Sequence, residues 1–123
     1  MSVIQLRVPA EAKFSGLVRN QIVGVAAQTQ LGIEAIDDLK LGVDEAFGIV
    51  IAHNPTSGDV LIECRISPDE LSVTVTGPTG GHLPESDDYR WLILNTVATG
   101  STATIAPEGN VTVMLHSRVV ASA

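Results

Sequence analysis

IEAIDDLKLGVDEAFGIVIAHN, residues 33–54, is the stretch that decides how this chain folds. Ile36, Leu39, Val43, Ala46, Phe47 and Val50 recur in steps of three and four, the signature of a helix with one buried stripe. Asp37 and Asp38 lie in its N-terminal part, where negative charge suits the helix dipole. Asn54-Pro55 ends it, because proline disfavours helical geometry in the residue before it. Glu45, Ile49 and His53 are four apart and so line one face beside the stripe. Only the first and last of these three carry groups capable of acid–base chemistry.

Working outward, the N-terminal segment Ser2 to Val8 alternates and reads as a strand with one face buried, closed by Pro9. Glu11 to Gln30 carries Phe14, Leu17, Val18, Ile22, Val25 and Ala26 at helical spacing, with Gly32 placed as its C-cap. Gly16 and Gly24 weaken such a helix, which suggests that they mark close packing. Val60 to Ser67 and Leu71 to Thr76 form a hairpin through Ser67-Pro68-Asp69-Glu70. Gly77 to Asp87 (GPTGGHLPESD) reads as a loop. A third helix spans about Asp88 to Ala98, N-capped by Ser86 or Asp87, with Trp91, Leu92, Leu94 and Val97 as burial candidates. Thr102 to Ile105 and Asn110 to Arg118 close the chain as strands around Pro107-Glu108-Gly109. The order is β-α-α-β-β-α-β-β. It predicts an α+β fold, a two-layer α/β sandwich with a mostly antiparallel sheet and three helices on one face. Residues 1–118 form the single domain and 119–123 a short tail. The loop after the third strand is expected against the end of the second helix, a natural place for a pocket.

Composition narrows the function. The 123 residues carry 14 acidic and 7 basic side chains, a net charge of −7, with no basic cluster and only 3% aromatic residues. Displacing counterions from nucleic acid needs positive charge, and stacking on bases needs aromatic rings, so direct nucleic-acid binding is not expected. No apolar run reaches the roughly 20 residues of a membrane span, and the N-terminus has no signal-peptide pattern. With one cysteine, Cys64, an intrachain disulfide is impossible, which suits the cytoplasm. Cys64 reads as a small buried strand residue.

The order of elements, together with DDLKLGVDEAF at 37–47, resembles the Bergerat-fold, histidine kinase-like ATPase (GHKL) superfamily. Within it, the chain is similar to the RsbW-like anti-sigma factors of actinobacterial type, which double as serine protein kinases. Their second helix reads D-L-x-L-A-V-x-E-A-x-x-N-x-x-x-H. Here Asp38-Leu39-Lys40-Leu41-Gly42-Val43-Asp44-Glu45-Ala46 follows that pattern, and His53 falls at the family histidine.

The resemblance implies that Glu45 stands at the catalytic base, and that His53, Gly77, Gly80 and Gly81 stand in the nucleotide pocket. It also implies partners, a sigma factor and a STAS-type anti-anti-sigma antagonist, in the cytoplasm without membrane or direct nucleic-acid contact; a homodimer is expected as well, because an edge strand at Ser2 to Val8 can pair by sheet extension or side-by-side packing. The departures from the pattern are specific. Ile49 occupies the magnesium-ligand position, and a hydrocarbon offers no oxygen to a hard cation. Gly77 stands where the adenine-reading aspartate belongs, and Thr79 where a glycine belongs. Asp88-Tyr89-Arg90-Trp91 replaces the glycines of the phosphate lid, where backbone must approach phosphate closely. No metal site is expected, and no cofactor, although ATP with Mg²⁺ remains the ligand if the pocket survives.

Three functions are compatible with these residues. One is an anti-sigma-like binding protein in partner switching, with ATP binding weak or lost. Another is an active ATP- and Mg-dependent serine kinase of the antagonist, with Glu45 as base. The third is a non-catalytic structural or dimerisation module. Glu45 also suits a solvated structural role, and His53 suits the last turn of a helix by its charge alone. His82 and His116 have no second histidine at ligand spacing. Gly77-Pro78-Thr79-Gly80-Gly81 lacks the lysine and hydroxyl of a Walker loop.

Overall fold

In the computed structural model, the residues described are 2–52, 58–78, 100–105 and 110–118. They build a five-stranded antiparallel sheet: β1 (Ser2–Pro9), β2 (Asp59–Ser67), β3 (Glu70–Pro78), β4 (Gly100–Ile105) and β5 (Asn110–Arg118), in the order β1-β2-β3-β5-β4. A single 3-10 turn, Ala12–Phe14, leads into α1 (Ser15–Ala26), and α2 (Ile33–Ala52) follows. The alternation expected of a half-covered sheet is plain. Val60, Ile62, Cys64 and Ile66 of β2, Leu71, Val73 and Val75 of β3, and Val113 and Leu115 of β5 are all buried in one core with the two helices. Glu63, Ser72, Thr74, Thr76 and Thr112 point to the other face and are only partly covered.

The α2 stripe is as its periodicity predicts. Leu39, Val43, Ala46, Phe47 and Val50 are buried and Ile36 packs against them. The two-residue turn at Pro68-Asp69 sets the β2–β3 register, Ser67 opposite Glu70 and Leu61 opposite Thr76. The Ser67 hydroxyl donates to an Asp69 carboxylate oxygen at 3.1 Å, fixing the turn from within. The expected third helix and the loop pocket beside it fall in 79–99, outside the described residues.

Several expectations need correction. The first helix is shorter than the expected Glu11 to Gln30, running from Ser15 after a 3-10 turn and ending at Ala26. Thr29 is the reason: its hydroxyl donates to the Ala26 carbonyl at 2.7 Å and accepts the Leu31 amide at 3.1 Å, offering the backbone an alternative to another turn. Gly32 therefore does not cap α1; its carbonyl accepts the Ile36 amide and opens α2. Leu17, placed on the buried stripe, is 50% exposed. The strand after the hairpin runs on through Gly77 and Pro78, which pair with Val111 and Asn110 of β5, two residues further than expected.

A further correction concerns Gly16 and Gly24, which mark no close packing. A Cβ at Gly24 meets nothing within 4 Å, and one at Gly16 meets only the end of the Arg19 side chain. Gly24→Ala is accordingly expected to stabilise the protein by about 0.5–1 kcal/mol, read as a rise in the denaturation midpoint.

Strand β1 departs from expectation along its length. Val8 is buried, Leu6 is partly covered, and Ile4 and Val3 are 36% and 49% exposed. The helix layer covers only its C-terminal half. Toward Ser2, a cleft bordered by Ile4, Gln28, Gln30 and Ile66 lies beside the strand instead.

Candidate functional site

Of the residues singled out in the sequence, Glu45, Ile49 and Gly77 are described, the first two on the second half of α2 and the third on β3, which packs against it. Glu45 is half-buried, one turn ahead of Ile49. Ile49 is 1% exposed and belongs to the continuous hydrocarbon core. The sequence places it on a mixed face because its neighbours at four-residue spacing are Glu45 and His53. The folded chain turns that side chain inward, and the sheet beneath supplies apolar contacts.

Gly77 ends the helix-facing row of β3 directly under α2. A Cβ there would lie 2.6 Å from Val50 Cγ1 and 3.4 Å from Val60 Cγ2. Its lack of a side chain thus serves packing, with Val50 filling the space that a side chain would need. An aspartate at this position, the adenine-reading residue of the pattern Gly77 replaces, does not fit in this arrangement. Magnesium fits no better, because Ile49 brings only methyl and methylene groups where an oxygen ligand is required. Among the described residues, no group of three or more His, Cys, Asp or Glu converges to hold a metal ion. His53, Gly80, Gly81, His82 and Trp91 lie outside the described residues.

Two further features bear on chemistry. Arg19 of α1 donates to an Asp44 carboxylate oxygen at 2.8 Å, tying the two helices together beside Glu45. Both side chains are partly exposed, so the pair contributes at most about 1 kcal/mol and acts as an orienting contact. Its partners are 25 residues apart, and no spacing rule relates them in the sequence. Cys64 is fully buried on β2, and burial, with a smaller contribution from the Glu63 carboxylate, pushes its thiol up to about 11. The reactive thiolate is therefore scarce near neutral pH. Alkylation of the native protein at pH 8 is expected to be negligible and to become rapid in denaturant, as read by mass spectrometry.

His116 of β5 stands opposite Ser72 and Gly100 in the ladder, away from the α2–β3 crossing. No described helix is long and apolar enough to cross a membrane.

This architecture, a mostly antiparallel sheet with long helices packed on one face, is that of the histidine kinase-like ATPase fold. The chain superimposes over its full length on the crystal structure of the RsbU and RsbW domains of Rv1364c from Mycobacterium tuberculosis, with a TM-score of 0.78, 14% identity and 34% of that chain covered. In sequence, it is 33% identical over 76 residues to the serine-protein kinase RsbW of Listeria innocua, covering 59% of this chain and 48% of that protein. It is 32% identical over 75 residues to the serine-protein kinase RsbW of Bacillus subtilis, covering 58% and 47%. No protein-family model matches the chain. The chain is thus similar to RsbW proteins in sequence over part of its length, and its fold is that of the RsbW-containing structure. It spans about half the length of the curated relatives it matches.

Proposed function

We propose that this chain is an anti-sigma regulatory protein that works by partner switching in the cytoplasm. It holds a sigma factor, is displaced by a STAS-type anti-anti-sigma antagonist, acts as a homodimer, and binds ATP weakly or not at all. The similarity to RsbW supports the regulatory part of this reading. One observation supports the loss of nucleotide handling: hydrocarbon fills the α2–β3 crossing, with Ile49 buried and Val50 packed on Gly77. Sequestering a protein needs complementary surface and no phosphate transfer, and the net charge of −7 favours basic segments of a partner by long-range attraction.

The test combines binding with thermal unfolding. The purified chain is titrated with a candidate sigma factor and a candidate STAS-type antagonist, each with and without millimolar Mg-ATP. Complex formation that is indifferent to nucleotide is expected. A nucleotide at about 100 times its dissociation constant would add roughly 2.7 kcal/mol and raise the unfolding midpoint by several degrees. The expected shift is below about 1 °C, which corresponds to a small fraction of that stabilisation. A magnesium-dependent rise of several degrees would instead favour a working serine kinase with Glu45 as base. Failure to bind either protein would remove the regulatory reading.

A further inference from the structure

Among the described residues, the sheet face that carries no helix holds the one exposed sulfur. Met114 of β5 lies between Val113 and Leu115, both fully buried, so its side chain points to the opposite face, where it is 42% exposed. Its thioether borders a shallow cleft of about 360 Å³, lined otherwise by Glu63 and Arg65 of β2 and by Ser72 and Thr74 of β3. Thr74 stands directly opposite Met114 in the ladder, and Glu63 directly opposite Thr74. Cross-strand neighbours of this kind hold their Cβ atoms about 5 Å apart, so the side chains touch.

The donors around this sulfur are uncommitted. The Ser72 and Thr74 hydroxyls make no hydrogen bond among the described residues. Arg65 reaches Glu63 only at 4.0 Å, while Gln5 donates to the same carboxylate oxygen at 3.3 Å. A thioether is a weak acceptor and offers these groups little. A sulfoxide oxygen is polar and accepts strongly, so the same donors suit the oxidised side chain better than the reduced one.

We propose that Met114 is a reversible oxidation site for hydrogen peroxide, with the cleft receiving the sulfoxide oxygen. The sulfur lone pair attacks one peroxide oxygen. The S–O bond forms as the O–O bond breaks, and the second oxygen takes up a proton and leaves as water. The thioether is oxidised by two electrons and the peroxide is reduced by two, so no further reactant enters. Methionine sulfoxide reductases reverse the change. Because Met114 stands on the open face, its conversion from apolar to polar removes no core contact and stays a surface event. Cys64 is buried and does not compete for the oxidant.

The experiment treats the purified chain with hydrogen peroxide and maps the added oxygen by peptide mass spectrometry, which separates Met114 from Met1. Oxidation of Met114 at a rate close to that of free methionine is expected, with the thermal midpoint moving by less than about 1 °C. A Met114 that reacts far more slowly, or an oxidised chain whose midpoint falls by several degrees, would overturn the proposal. A second readout tests the donors. Exposure alone lets either lone pair react and gives both sulfoxide epimers in equal amounts. Donors on one side of the sulfur should give one epimer in excess, so that the two epimer-specific reductases remove unequal shares of the oxygen. In the variant carrying Thr74→Val and Ser72→Ala, with its fold checked by circular dichroism, the excess should fall toward parity. Equal epimers in the wild type, or an excess that the variant leaves unchanged, would show that the cleft does not receive the oxygen and would overturn the proposal on that ground.

Discussion

Gly77→Asp is expected to destabilise the protein by about 3–5 kcal/mol, the sum of forcing atoms into a filled core and burying a carboxylate without a partner. The cause is local. A Cβ at position 77 would lie 2.6 Å from Val50 Cγ1, well inside contact distance, and Val50 is fully buried. Gly77→Ala separates the two contributions. It adds the Cβ without the charge and should cost about 1–3 kcal/mol. Val50→Ala removes the colliding methyl, so Gly77→Ala should be cheaper in that background than in the wild type, a coupling that urea denaturation of the four proteins measures directly. Additive costs would mean that the contact between Val50 and Gly77 does not set the packing at the α2–β3 crossing.

Phe47→Ala is expected to be of similar size, about 3–5 kcal/mol, by a different route. Phe47 is the largest fully buried side chain described, and with only 3% aromatic residues in the chain no other ring can fill its volume. Its loss leaves a cavity between α2 and the sheet. The cost should appear as a lower denaturation midpoint with an unchanged slope, since the surface exposed on unfolding barely alters. Phe47→Leu, which keeps most of the volume, should lose less than half as much.

The parts of the fold that were legible in the sequence are those where a single periodicity acts alone. The α2 stripe from Ile36 to Val50 and the β2–β3 hairpin around Pro68-Asp69 are of this kind, and the structure places them as their spacing requires. The end of α1 was not legible, because no proline or glycine breaks the sequence between Ala26 and Gly32, while the Thr29 hydroxyl takes over the backbone at Ala26. Gly77 is a second case. Beside Pro78 and a run of further glycines it resembles a loop, and only the β5 strand opposite, far along the chain, draws it into the sheet. Ile49 was legible as the wrong chemistry for a metal. Its burial was not, since one face of a helix acquires its meaning from whatever lies beneath it. The Arg19–Asp44 bond belongs to the same group, because tertiary proximity alone creates it.

The sheet order carries a kinetic consequence. β2 and β3 are joined by two residues, whereas β1 reaches β2 only after both helices, Pro9 opposite Asp59 and Ser2 opposite Ile66. Closing that loop costs more chain entropy than closing the hairpin, so the first strand is expected to dock after the helices and the hairpin have formed. Substitutions in β1 should then leave the refolding limb of a chevron plot nearly unchanged and steepen escape from the native state instead. The first strand is thus the part of the sheet secured last during folding, and the part whose release should come first on unfolding.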